Sequence, residues 1–193
     1  MTPSDQARIL VGVGRLLRFQ TAGFQAFAPT PQEVYRSFLG MAWLIPLHLF
    51  LAVLEYQNQD KIDNVLPFFL VQALAYVLTW TLWPVLSWEI SRALGLTQNW
   101  ARYIAAYNWM RLPIYLIMTP LHALFLLRGL SEEGFVFLAA LLLLASVAYM
   151  FMLLHHGLKT PVGSSILLVI IDLMAGMMLS YASVLVLQGS LPG

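Results

Sequence analysis

The stretch VLPFFLVQALAYVLTWTLWPVLSW, residues 65–88, decides the fold class, because it contains no charged side chain over 24 residues. A transmembrane α-helix needs about 20 predominantly apolar residues to cross the hydrocarbon core of a bilayer. The whole chain has the same character, since 60% of its 193 residues are hydrophobic and only 10% are charged. This composition is far from that of a soluble domain. The sequence therefore predicts an integral membrane protein.

Four further segments have the length and apolarity of a spanning helix. The five predicted spans cover residues 38–54, 65–88, 103–127, 135–154 and 165–187. We expect an all-α polytopic protein with two parts: an N-terminal amphipathic segment at residues 1–36, and a five-helix transmembrane domain at residues 37–193. A chain of this length leaves no room for an additional soluble catalytic domain, so any function lies in the bundle or on its rims.

The basic residues of the loops predict the orientation, because the more basic side of a membrane protein faces the cytoplasm. With five spans, one side receives seven of them: Arg8, Arg15, Arg18, Arg36, Arg92, Arg102 and Lys159. The other side receives Lys61 and Arg128 with five acidic residues: Glu55, Asp60, Asp63, Glu132 and Glu133. We therefore expect the N-terminus in the cytoplasm and the C-terminus outside.

The segment ARILVGVGRLLRFQTAGFQAF, residues 7–27, is amphipathic at helical spacing. Its basic side consists of Arg8, Arg15 and Arg18, and its apolar side of Ile9, Val13, Leu16, Leu17 and Phe24. We predict an interfacial helix whose basic face contacts anionic headgroups while its apolar face enters the acyl boundary. This pattern favours a lipid anchor over a receptor-binding element.

The sequence AYNWMRLPIY, residues 106–115, places Arg111 inside the third span. A charge within a span is costly unless it is paired, hydrated or able to snorkel. Asp172 in the fifth span lies at a matching depth, about 10 to 12 Å from the same rim at 1.5 Å per residue. We therefore predict a buried Arg111–Asp172 ion pair. Such a pair more often sets helix packing, and an ion or proton path is the alternative.

Further polar and small residues recur at helical spacing in the spans. One predicted polar face of the third span continues from Arg111 through Asn108, Tyr115 and His122, and Gln72 begins a comparable face on the second span. On the fifth span, Gly176, Ser180 and Ser183 form a seam at which another helix, of this chain or of a partner, can approach closely.

Several classes of function find no support in the residues. The chain has no cysteine, and it shows no catalytic motif, no phosphate loop and no metal-ligand spacing. We therefore expect no catalytic residue, no metal and no cofactor. The net charge of +1 without a basic cluster gives no electrostatic footprint for nucleic acid.

Two junctions between spans resemble those of the Yip family, membrane proteins named for interaction with Ypt/Rab GTPases, in its bacterial branch. They are SRALGLTQNWARYIAAYNWMRLPIYLI, residues 91–117, and VAYMFMLLHHGLKTPVGSSILLVIIDLM, residues 147–174. The resemblance implies a five-helix bundle with a cytosolic N-terminus in a bacterial cytoplasmic (inner) membrane, and it supplies no catalytic residue. GTPase binding is not carried over, because a bacterial chain has no Rab to bind. Eukaryotic members also use long N-terminal tails, and this tail has about 36 residues.

The sequence favours a non-enzymatic component that organises a membrane or assembles with a membrane-protein partner or with further copies of itself in the lipid bilayer. One alternative is a small transporter or channel with a polar path through Arg111 and Asp172. A lipid-handling protein that uses the tail and the proline-broken second and third spans is another.

Overall fold

A computed structural model of the chain describes residues 2–59 and 65–189, and of residues 188 and 189 it describes the backbone alone. In these ranges the chain forms α1 (Pro3–Leu16), a 3-10 turn (Thr21–Ala26), α2 (Pro31–Ser37), α3 (Leu39–Gln57), α4 (Val65–Ala93), α5 (Thr97–Leu126), α6 (Glu132–Met152), a π-helical turn (Leu153–Leu158) and α7 (Val162–Gly189). The predicted loop charges Asp60, Lys61 and Asp63 lie outside the described residues.

The prediction of an all-α protein with five spanning helices and an N-terminal helix is confirmed. The segments that are long and apolar enough to cross a membrane are Pro31–Gln57, Val65–Ala93, Thr97–Leu126, Glu132–Leu158 and Val162–Leu187. They exceed the predicted spans because the helices continue past the apolar stretches into polar ends. At the start of α5, for example, the helix begins six residues before the predicted boundary at 103.

The ends of the bundle differ in how they are covered. One end, the N-terminal face, carries α1, α2 and the junctions α4–α5 and α6–α7. The other end, the far face, carries the end of α3, the start of α4 and the connection α5–α6. The main hydrophobic core joins the N-terminal segment to the first half of α5, the end of α6 and the π-helical turn. The N-terminal face is therefore densely packed. The polar residues of the spans lie toward the middle of the bundle and toward the far face.

The apolar side of α1 packs on the protein itself. Ile9, Val13 and Leu16 are buried against the core, as is Phe24 in the 3-10 turn. The backbone of α1 comes so close to this turn that a Cβ atom at Gly12 would overlap the Cβ of Ala26. The helix is amphipathic as predicted, but its apolar face meets protein where we expected the acyl boundary. We call α1 together with the 3-10 turn the cap, because this segment is docked on the rest of the protein.

The three predicted lipid-facing arginines therefore have different surroundings. Arg8 Nη2 donates to both carboxylate oxygens of Glu33, at 3.0 and 3.1 Å, and its Nη1 donates to the carbonyl of Ala26. Glu33 is buried, so Arg8 neutralises an internal charge. Arg15 and Arg18 are exposed and remain candidates for headgroup contact.

A π-helical turn ends α6 and brings the chain to α7. π-helical segments are rare and mark positions where the regular backbone ladder is interrupted. Here the hydroxyl of Thr160 donates to the carbonyl of Leu154 at 3.0 Å and lies 2.7 Å from the hydroxyl of Ser165. The turn also packs on the cap, because a Cβ atom at Gly157 would lie 2.6 Å from Cε1 of Phe24. The cap and the α6–α7 junction are thus one packed unit.

Candidate functional site

Polar and small side chains from three helices face one another in the membrane-spanning part of the bundle. They recur every three or four residues, so each set lies on one side of its helix. The sets are Gln72, Tyr76 and Thr79 on α4, Tyr107, Arg111 and Tyr115 on α5, and Asp172, Gly176, Ser180 and Ser183 on α7. We call the space that they line the polar furrow.

The polar furrow consists of two adjoining cavities. The central cavity has a volume of about 370 Å³, and its polar lining comes from Thr79, Tyr107, Arg111, Asp172 and Ser180. The distal cavity, nearer the far face, has a volume of about 350 Å³ and adds polar residues of α3 and α4, namely His48, Glu55, Gln72 and Tyr76. Both cavities are lined by Thr79, Gly176, Leu179 and Ser180, so they adjoin each other along α7.

Arg111 lies in the central cavity among aromatic rings. Its Nη1 donates to the carbonyl oxygen of Thr79 at 2.8 Å. Its Cζ lies 4.4 Å from the ring centroid of Trp80, and 5.7 and 5.8 Å from those of Tyr107 and Tyr115. Ring faces attract a guanidinium through their quadrupole, and more strongly where water is excluded. Aromatic contact and one carbonyl therefore hold this charge within the span.

Asp172 shares the central cavity with Arg111, but the predicted direct ion pair is not formed. Among the residues from 2 to 59 and from 65 to 189, no side-chain nitrogen of Arg111 lies within 4.0 Å of the Asp172 carboxylate. The physical reason is Tyr107, whose hydroxyl donates to Oδ1 of Asp172 at 3.4 Å while its ring lies beside the guanidinium. The two charges are linked through one tyrosine.

The distal cavity contains a second polar group centred on Glu55. The Nε2 of Gln72 donates to Oε2 of Glu55 at 2.5 Å, and Nδ1 of His122 lies 3.8 Å from its Oε1. The ring of His48 stacks on Tyr76 with centroids 4.3 Å apart, and its Nε2 lies 3.3 Å from the backbone oxygen of Gln72. This cluster joins α3, α4 and α5 near the far face.

The predicted polar face of α5 divides between three environments. Arg111 and Tyr115 line the polar furrow, and His122 contacts Glu55 beside it. Asn108 lies elsewhere: it is fully buried, and its Nδ2 donates to the hydroxyl of Ser37 at 2.9 Å. Asn108 therefore fastens α5 to the end of α2 and does not belong to the furrow.

The predicted small-residue seam of α7 faces open space. A Cβ atom added at Gly176 would meet nothing within 4 Å, and Gly176 and Ser180 are exposed. The hydroxyl of Ser183 donates to the carbonyl of Leu179 in its own helix. Within this chain the seam forms one wall of the polar furrow, and the close approach of a partner's helix to it stays a prediction.

Sequence reasoning missed two residues of the furrow and the neighbours of a third. Tyr107 precedes Arg111 by four residues, and this spacing was the available signal for their contact. Glu55 was assigned to a loop, although α3 continues to Gln57 and carries it into the distal cavity. No local signal in the sequence indicates that His48 on α3 meets the polar side of α4.

The polar furrow is closed toward the N-terminal face by packed side chains. Trp83 lines the central cavity, and its Nε1 donates to the hydroxyl of Tyr103 at 2.6 Å. Both side chains are buried, and the Tyr103 hydroxyl reaches Sδ of Met150 at 3.8 Å. A layer of aromatic side chains thus separates the central cavity from the cap.

The arrangement can bind charged and polar groups. It offers a guanidinium, two carboxylates, one imidazole and several hydroxyls inside the membrane-spanning region. In the part of the chain that the structure describes, no group of three or more His, Cys, Asp or Glu side chains could hold a metal ion. Comparisons with protein families, curated proteins and solved structures give no match to this chain.

Proposed function

We propose that this chain is a non-enzymatic membrane protein of the transporter class, which binds a small polar or amphiphilic solute in the polar furrow. The observation that carries the proposal is the convergence of polar faces from α4, α5 and α7 on two adjoining cavities. Polar and ionisable residues inside a membrane are costly, and they mark substrate pathways when they line a cavity. This favours the transporter alternative over the adaptor that the sequence favoured.

Among residues 2–59 and 65–187, the form of the furrow supports a site with one open side. The distal cavity extends to Gln59, which lies beyond the end of α3 at the far face. Toward the N-terminal face, Trp83 and Tyr103 close the central cavity. A binding site near the middle of a bundle that is closed on one side is the arrangement that alternating access requires.

A second candidate function, contact with or organisation of a membrane surface, is favoured by the outer side of α1. Leu10 and Val11 are 70% and 55% exposed. Arg15 and Arg18 are exposed within two turns of them. Exposed aliphatic residues beside arginines are suited to an anionic lipid surface. This patch is separate from the docked apolar face of α1.

The same proposal includes the membrane in which the protein lies, its orientation there and its family. We place the N-terminal face in the cytoplasm and the protein in a bacterial inner membrane, because the basic loop residues gather at that face. Membership of the Yip family is consistent with five spans behind a folded N-terminal segment. The proposal also includes a membrane-protein partner or a second copy of the chain, which would pack on the open wall at Gly176 and Ser180.

The accessibility of introduced thiols tests the proposed function. The chain has no native cysteine, so the reagent can modify only the introduced thiol. Ser180→Cys and Ser183→Cys place a thiol on the furrow wall, and Ala182→Cys places one at the same depth on the exposed side of α7 that does not line the furrow. In proteoliposomes, a membrane-impermeant cationic methanethiosulfonate should modify the two furrow thiols at least about tenfold faster than the control, because only a thiol in water ionises and reacts. Equal protection of all three would indicate a dry packing seam and would refute the proposal.

A further inference from the structure

The central cavity holds two opposite charges on different helices that do not touch. Arg111 extends from α5 and Asp172 from α7, and Tyr107 links them. Two such charges in a membrane span attract strongly, so a closed site would bring them together. Here the guanidinium is held back by the Thr79 carbonyl and the Trp80 ring. The cavity therefore keeps a positive and a negative group available at once.

Arg111 retains unused hydrogen-bond donors. A guanidinium carries five N–H donors in a planar arrangement that matches a carboxylate or a phosphate. The hydrogen bonds of the described residues use one of them, on the carbonyl of Thr79. Because Arg111 lines the central cavity, the others are available to an anionic oxygen group that enters it.

Asp172 retains an unused acceptor on the opposite wall. Its Oδ1 accepts from the Tyr107 hydroxyl at 3.4 Å, and in the ranges 2–59 and 65–189 no hydrogen bond involves Oδ2. A primary ammonium has three donors and fits a carboxylate with a free oxygen. The hydroxyl of Ser180 lines the same cavity and adds a neutral acceptor.

We infer that the central cavity binds a zwitterion, with an anionic oxygen group on Arg111 and a primary ammonium on Asp172. The inference rests on the proposed function, and it names the substrate class of that site. A simple anion would leave Asp172 without a partner, and a simple cation would leave Arg111 without one. A zwitterion satisfies both charges and adds no net charge to a low-dielectric region.

Two sources supply this chemistry. One is the headgroup of an aminophospholipid, whose phosphate and ammonium are covalently joined, and the other is a free amino acid. The furrow is open along α7, where Gly176 and Ser180 are exposed, so a ligand could leave acyl chains in the bilayer. The cavity volume of about 370 Å³ accommodates either headgroup or amino acid.

The test is calorimetric titration of the purified full-length protein with matched probes. Glycerophosphoethanolamine and L-alanine are the zwitterions. Glycerophosphoglycerol, an anionic phosphodiester, and ethanolamine, a cation, carry only one charge each. At least one zwitterion should bind about tenfold more tightly than either single-charge probe, because two charge-assisted contacts replace one. Preference for glycerophosphoethanolamine identifies a lipid headgroup, and preference for L-alanine identifies a free amino acid.

Single substitutions assign the two ends of the ligand. Arg111→Gln and Asp172→Asn should each weaken binding of the zwitterion about tenfold or more. Arg92→Gln is the control, because Arg92 is exposed and pairs with Glu89 outside the furrow. Arg111→Gln should leave the weak binding of ethanolamine unchanged. A variant that lost the structure of the site would also lose the binding of ethanolamine. If a variant does not fold, the comparison of probes on the unmodified protein still decides the question.

The inference is overturned if a single-charge probe binds as tightly as the zwitterions, or if neither zwitterion binds. Failure in this way is distinguishable from failure of the proposed function. A furrow that reacts with the aqueous thiol reagent but binds no zwitterion would retain the transporter proposal and remove this substrate class. Protected furrow thiols would remove both.

Discussion

Glu33 is the one buried charged side chain among residues 2–59 and 65–187, and its position explains how the N-terminal segment is held. Its carboxylate receives two hydrogen bonds from Arg8, and its backbone N–H donates at 3.3 Å to the hydroxyl of Thr30, which caps the start of α2. A buried charge without its partner is strongly destabilising. Arg8 is therefore a structural residue.

The Arg8–Glu33 pair gives a stability prediction. Glu33→Gln should lower the free energy of unfolding by about 1.5 to 3 kcal/mol, the usual value of hydrogen bonds to a charged group. Glu89→Gln is the matched control, because its pair with Arg92 is more than half exposed on both sides, and it should change stability by less than about 1 kcal/mol. Reversible unfolding in SDS measures both. Equal effects would show that the pair does not stabilise the cap.

Asp5 gives a prediction of pH dependence outside the spans. The backbone N–H of Thr2 donates to its carboxylate at 3.1 Å, and this hydrogen bond, with Arg36 and Arg8 nearby, lowers the pKa of Asp5. Folding therefore favours the charged form, so the stabilisation is present above the pKa of the unfolded chain and is lost as the pH falls through the lower folded pKa.

Carbon-13 NMR titration of the Asp5 carboxyl measures this shift. The midpoint in the folded protein should lie below that of the same residue in a peptide of residues 1–18, which lacks the docked structure and Arg36. Asp5→Asn should also remove the corresponding part of the acid-induced loss of stability. Identical midpoints in protein and peptide would contradict the prediction.

At the scale of elements, α1 is bound through a close contact between backbones. Gly12 faces the 3-10 turn, whereas Gly14, two residues later, has open space around the position of a Cβ atom. The same helix therefore contains a glycine that packing requires and one that it does not. This contrast separates the docking of α1 from its helix propensity.

Gly12→Ala should destabilise the protein by about 1 to 3 kcal/mol, because the added methyl group would overlap Ala26 and force α1 away from the 3-10 turn. Gly14→Ala should be neutral or stabilising by up to about 1 kcal/mol, since alanine is the better helix former. Thermal unfolding in detergent and proteolysis of residues 1–27 report the two effects. A cap that tolerates both substitutions equally would not be docked as described.

At the scale of the whole molecule, packing is unevenly distributed. The cap, the first half of α5 and the α6–α7 junction form the main core at the N-terminal face. α7 packs chiefly on α4. Its exposed small residues line a furrow that continues to the far face. A bundle that is tightly packed at one end and open along one helix is suited to admitting a ligand from the far face or from the bilayer.

The proposed orientation makes a prediction about the complete protein in cells. Ser4→Cys and Gln98→Cys place exposed thiols at the N-terminal face, and Glu133→Cys places one at the far face. With that face outside, an impermeant maleimide should label Glu133→Cys in intact spheroplasts and the other two only after permeabilisation. The reverse pattern would invert the topology and place the opening of the furrow in the cytoplasm.

The sequence alone determined the five spans and the N-terminal helix. A backbone in a bilayer must satisfy its hydrogen bonds within the segment, so an apolar stretch of sufficient length becomes a helix whatever its neighbours are. For the same local reason it identified Gln72, Tyr115, Gly176, Ser180 and Ser183 as members of polar or small faces, together with Arg111 and Asp172.

Only the tertiary structure decided what these faces meet. The rotation of each helix depends on packing against segments distant in the chain, which local periodicity does not encode. In the folded protein, Asn108 faces Ser37, Glu55 and His48 lie beside Gln72, and α1 is docked on the bundle. Tyr107 also lies between Arg111 and Asp172. Matching depth brought the two charges to one cavity, and side-chain packing around that cavity kept them apart.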